Sequence, residues 1–157
     1  MKIAVASVMA GAPWGGSEEL WAAAAREALG RGLVVEAHLP AWPTVPERVA
    51  ELLKRGMAVS IWRPYDPRLA ARLAARLRGR PDDLARQLRR SDADVVVINQ
   101  GSAFDLAAHP DVCEVLTTAA RPVVLVVQHN HENPVPAGVR ERVGAVYERA
   151  AAVVFVS

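Results

Sequence analysis

Short valine- and isoleucine-rich runs recur along this chain, each separated from the next by a stretch long enough to hold a helix. The runs span residues 2–8, 33–39, 57–62, 94–99, 122–128 and 152–156. Several are apolar at every position rather than at alternate positions, as strands covered on both faces must be. Antiparallel neighbours need only a tight turn between them, whereas parallel neighbours need a long crossover, usually a helix. The pattern therefore predicts an α/β domain: a Rossmann-like, doubly wound parallel sheet of about six strands, order 3-2-1-4-5-6, with helices on both faces.

Helix punctuation supports this reading. Ser17 is placed to cap a first helix, with Glu18 and Glu19 favourable in its opening turn and Gly30 and Gly32 at its end. Pro46 opens a second helix that Gly56 closes. The stretch 67–90 breaks at Gly79-Arg80-Pro81 and reads as two short helices. In the first of them Leu69, Leu73 and Leu77 form one stripe and Arg68, Arg72 and Arg76 the next.

Length and composition narrow the function. A chain of 157 residues fits one domain with its own core. The single cysteine, Cys113, excludes an internal disulfide framework and lies in an apolar helical context, where a buried, inert thiol is expected. No apolar run is long enough to span a membrane. The apolar start is read as a strand rather than a signal peptide, so a cytoplasmic protein is expected. Residues 63–90 carry nine arginines against Asp66, Asp82 and Asp83, a net +6 in a chain whose total is +2. Such a local basic segment suits an anionic surface, such as a membrane met by Arg68, Arg72 and Arg76, and not nucleic acid. A solvated helix face paired with nearby acids is the plainer alternative.

Ligands of open α/β sheets bind beyond the carboxyl ends of the strands, which singles out three loops. The first holds Gly15, Gly16 and Ser17, where missing side chains leave backbone N–H groups open to a ligand. Gly11, Gly15 and Gly16 do not form the dinucleotide pattern G-x-G-x-x-G. Glu18 and Glu19 place negative charge where a pyrophosphate would sit, so a hydroxyl-bearing or weakly charged ligand is favoured over a dinucleotide. The second loop, 99–105, offers Asn99, Gln100 and Gly101. The third, 128–134, offers His129, Asn130, His131 and Glu132 directly after a buried strand, with His129 expected to face the crevice. His131 and Glu132 lack further partners for a metal, and no metal or cofactor is expected. His38 and His109 read as structural. Serine-nucleophile, zinc-protease and Walker motifs are absent.

Together the segments Pro13-Trp14-Gly15-Gly16-Ser17-Glu18-Glu19-Leu20-Trp21, 123–129 and 150–157 resemble the N-terminal domain of family 4 glycosyltransferases, retaining enzymes of the GT-B fold. The resemblance runs across essentially the whole chain in its order of elements. It implies that residues 1–157 form the acceptor-side half of a two-domain enzyme, with the chain ending before a C-terminal donor-binding domain. Partners would be a UDP- or GDP-sugar donor, a hydroxyl acceptor and that second domain. It implies His129 as the catalytic-cleft residue, with Gly15 and Gly16 lining the cleft. Ser17, Asn99, Gln100, Gly101, Asn130 and Glu132 complete the expected substrate-binding set. The family's donor-binding Arg-Lys pair and E-x7-E motif have no counterpart here, so the isolated chain is expected not to catalyse transfer. A stand-alone Rossmann-type nucleotide-binding module and a non-enzymatic interaction domain are the competing readings.

Overall fold

The structure is a computed structural model that describes residues 1–9, 14–63, 83–129 and 135–156. Six strands form one sheet: β1 (Lys2–Ser7), β2 (Val34–Pro40), β3 (Ala58–Trp62), β4 (Val95–Ser102), β5 (Val123–His129) and β6 (Ala152–Phe155). Their order is β3-β2-β1-β4-β5-β6 and every pairing is parallel. This is the doubly wound, Rossmann-like arrangement that the alternation of runs predicts.

The helices fall on both faces because strand order reverses at β1 and crossovers keep one hand. On one face lie α1 (Gly16–Gly30) and α2 (Glu47–Lys54). There Trp21, Ala22 and Ala25 of α1 and Val49 and Leu52 of α2 pack on Val5, Val35, Ala37 and Leu39 of the sheet. On the other face lie α3 (Asp83–Arg90), a 3₁₀ turn (Asp105–Ala108), α4 (Pro110–Thr118) and α5 (Ala137–Arg149). Their Leu84, Leu88, Leu106, Leu116 and Val143 share a core with Ala4, Ala6, Ile98 and Leu125. Cys113 is buried in that core, and burial pushes its thiol pKa up, which keeps it protonated.

The ends of α1 and α2 repeat one device. Gly32 (φ +76°) and Gly56 (φ +95°) take the left-handed conformation. In each case the next residue donates back to the last turn, Leu33 N to Ala28 O at 3.0 Å and Met57 N to Leu52 O at 3.1 Å. Leucine and methionine at those positions are apolar, so the chain turns straight into the next strand.

Two expectations need correction. Ser17 does not cap α1: Gly15 occupies that position, no side chain caps it, and Glu19 N already bonds Gly15 O at 3.1 Å. Ser17 is thus inside the first turn. Residues 99–101 are not loop either, because β4 continues to Ser102 in register with β5, Gln100 opposite Val127 and Ser102 opposite His129. Arg68, Arg72 and Arg76 lie outside the described residues. No described helix is long and apolar enough to cross a membrane.

Candidate functional site

The carboxyl ends of β1, β4 and β5 are neighbours at the switch point, and the amino end of α1 sits against them. The centre of this junction is Glu18, only 3% exposed although it is a carboxylate in the first turn of a helix. Its Oε1 accepts from Ser7 Oγ and from Asn99 Nδ2, each at 2.8 Å, and its Oε2 accepts from Ser17 Oγ at 2.8 Å. Burial pushes the Glu18 pKa up, and the hydrogen bonds from Ser17, Ser7 and Asn99 oppose that shift only in part. Burial without a neighbouring cation is the reason: donors stabilise the anion, but less than water does.

Asn99 belongs to this cluster and is fully buried, with its Oδ1 unpartnered among the described residues. Gln100 does not. Successive residues of a strand face opposite sides, so Gln100 points to the other layer, where its Nε2 donates to Tyr147 Oη at 3.4 Å and its Oε1 accepts from Leu106 N at 3.4 Å. The expected pair of amides in one cleft is therefore split between two faces once residues 99–101 are strand.

The glycines have different local reasons. Gly15 is extended (φ −156°), a conformation open to any residue, and a side-chain carbon there would meet Met9 at an ordinary 3.5 Å. At Gly16 that carbon would come to 3.0 Å from the amide end of Gln128, which lies over the start of α1. At Gly101 it would press on Met9 Cγ at 3.1 Å and Asp105 Oδ2 at 3.2 Å, while Gly101 N donates to Asp105 Oδ2 at 2.8 Å. Close packing therefore accounts for Gly101. His129 ends β5 exposed to solvent, and its carbonyl accepts from Ala103 N at 3.0 Å. Asn130 and Glu132 lie outside the described residues. The histidines read as structural are placed as such: His38 is buried and bonds Gln87 and Glu36, and His109 packs edge-on against Trp62.

Beside Glu18, toward β2 and β3, opens a cavity of about 350 Å³ between the strand ends, α1 and α2. Trp14, Trp21, Trp42, Leu53 and Ile61 supply much of its wall, with Trp14 and Trp21 in edge contact at 5.8 Å. Ser7, Glu18 and Thr44 are its polar lining residues. Sequence reasoning places Glu18 on the helix as a charge but misses its burial, and misses the tryptophans altogether. The signal was present: three of the chain's four tryptophans fall within residues 14–42, after the first and second strand runs.

No family model matches the chain, and no curated protein matches it. Among solved structures it is similar to the leucoanthocyanidin reductase of Vitis vinifera, solved as a binary complex with NADPH, with a TM-score of 0.56 at 15% identity over 99% of this chain and 48% of the reductase. It is also similar to TvaF, an FMN-dependent cysteine decarboxylase from thioviridamide biosynthesis, with a TM-score of 0.53 at 15% identity over 98% of this chain and 88% of the decarboxylase. The chain spans about half the length of the reductase. These likenesses show a Rossmann-like fold, and neither neighbour is a glycosyltransferase.

Proposed function

We propose that this chain is the acceptor-side domain of a retaining GT-B glycosyltransferase, holding a hydroxyl acceptor while a second domain holds the nucleotide-sugar. The observation that carries the reading is the buried Glu18 carboxylate at the start of α1. A dinucleotide-binding fold receives pyrophosphate at that helix terminus, where backbone N–H groups and the helix dipole attract an anion. A carboxylate occupying the same place repels phosphate and accepts a hydroxyl proton instead. The resemblance of residues 13–21 and 123–129 to family 4 glycosyltransferases supports the same assignment.

In this reading Glu18, fixed by Ser7, Ser17 and Asn99, orients the acceptor hydroxyl, and exposed His129 at the end of β5 orients the acceptor or the sugar. Closure against the second domain would exclude water from the charges that develop on the sugar and the leaving phosphate. One domain supplies half of that environment.

The alternative, a nucleotide-binding module, draws support from the neighbours, one solved in complex with NADPH and the other FMN-dependent. Calorimetric titration of the chain with UDP-glucose, GDP-mannose, NADPH and FMN separates the two. No nucleotide is expected to bind, and sugar transfer is expected only after a family 4 donor-binding domain is joined to the chain, with loss on His129→Ala. Micromolar binding of NADPH or FMN, abolished by Gly16→Val, would sink the acceptor-side reading.

A further inference from the structure

The cavity beside Glu18 has a composition that neither a sugar nor a nucleotide requires. A hexose carries a hydroxyl on nearly every carbon and needs polar partners all round, whereas these walls are tryptophan and aliphatic carbon with polar groups at few points. A volume of about 350 Å³ is at the lower end of the range for small-molecule sites. Among the described lining residues there is no lysine, arginine or histidine, so an anionic group finds no partner. Glu18 presents its carboxyl to this cavity. Its Oε1 accepts from two side chains, Ser7 and Asn99, whereas Oε2 accepts from one, Ser17, and the Glu18 backbone N–H also bonds the carboxyl. Oε2 is therefore the oxygen less crowded by side-chain donors.

We propose that this cavity binds a neutral alcohol or phenol with a flat apolar body, the body lying among Trp14, Trp21 and Trp42 and its hydroxyl donating to Glu18. The inference deepens the acceptor-side reading and rests on it for the role of that hydroxyl as the group to be glycosylated. The apolar body supplies affinity through burial, while the hydroxyl selects orientation because it alone can meet the carboxylate. Rim residues Leu53 and Ile61 are about half exposed, which leaves the cavity open to entry from solvent.

The test uses the chain alone, labelled at its indole nitrogens, and three probes with one naphthalene body: 2-naphthol, 2-methylnaphthalene and 2-(aminomethyl)naphthalene. Trp62 is an internal control, since it is buried in the core on the opposite face of the sheet. 2-Naphthol is expected to shift the indole signals of Trp14, Trp21 and Trp42 and leave that of Trp62 in place. It is expected to bind roughly tenfold more tightly than the methyl analogue, and Glu18→Gln should erase most of that preference. Leu53→Trp, a substitution at the exposed rim, should block both probes without changing the circular dichroism spectrum. Absent shifts, equal binding of the methyl analogue, or tighter binding of the amine would overturn the proposal. No nucleotide-sugar enters this assay, so its failure removes the apolar-alcohol class while the nucleotide titrations still decide the acceptor-side reading.

Discussion

Glu18 shows how much one residue's meaning depends on what surrounds it. An acidic residue in the first turn of a helix is ordinarily a solvated partner for the helix dipole. Here it is buried among Ser7, Ser17 and Asn99, and its pKa is raised. Its effect on stability follows by linkage. Unfolded, the carboxyl titrates near its ordinary 4.5; folded, it titrates higher. Between those two values the native state binds more protons than the unfolded state, so stability falls as pH rises through the window and then levels off. Glu18→Gln removes this titration. The stability of the parent relative to this variant is therefore expected to decline from about pH 4.5 upward until the folded carboxyl is ionised. Urea unfolding of both proteins across pH, with other groups such as Glu36 cancelling in the difference, measures it. A flat difference would show that Glu18 does not carry the raised pKa.

At the scale of elements, termini decide as much as faces. The amphipathic pattern of α3 places Leu84, Ala85 and Leu88 in the core. Its carboxyl end is closed by a residue thirty positions away or more. Arg121, just before β5, donates to Leu88 O and to Ser91 O at 2.6 Å, and more weakly to Ala93 O at 3.4 Å. These carbonyls lie at and just beyond the last turn, where helix C=O groups lack internal partners and a cation also meets the negative end of the dipole. Arg121→Ala is expected to cost about 2 kcal/mol of stability, in the range of hydrogen bonds to charged groups. Arg121→Lys should recover only part of it, since an ammonium lacks the planar fork. Denaturant midpoints measure both, and a loss below about 0.5 kcal/mol on alanine substitution would count against the cap.

For the molecule as a whole, the sheet is unequal in its depth. β1, β4 and β5 lie inside it, while β3 and β6 are its edges, and Ile61, Val154 and Phe155 on those edges are 42–63% exposed. Buried strands open only with the global transition, whereas sparsely covered edges open locally. Amide hydrogen exchange is expected to be slowest in β1, β4 and β5 and at least about tenfold faster in β3 and β6. Uniform protection across all six strands would contradict that gradient. The gradient also leaves the candidate site on the stable part of the sheet, since Ser7 and Asn99 are residues of β1 and β4.

The sequence by itself determined the number of strands and their parallel pairing, because both are written in local pattern, and the order followed from the fold class that this pattern indicates. Continuous apolar runs demand two covered faces, and long connections demand crossovers. It also points to the carboxyl edge as the place to seek ligand chemistry, since that edge follows from topology. Tertiary structure alone decided which side chains meet there. Whether β4 stops at Asn99 or continues to Ser102 depends on pairing with β5, and that pairing sends Asn99 to one face and Gln100 to the other. Gln128 reaches the start of α1 only because β5 lies beyond β4 in the sheet. The cavity has no local signature at all: it is the gap left where Trp14, Trp21 and Trp42 meet α2 and the ends of β2 and β3. Strand pattern is a property of neighbours in sequence, whereas burial of Glu18 and the shape of that gap are properties of neighbours in space.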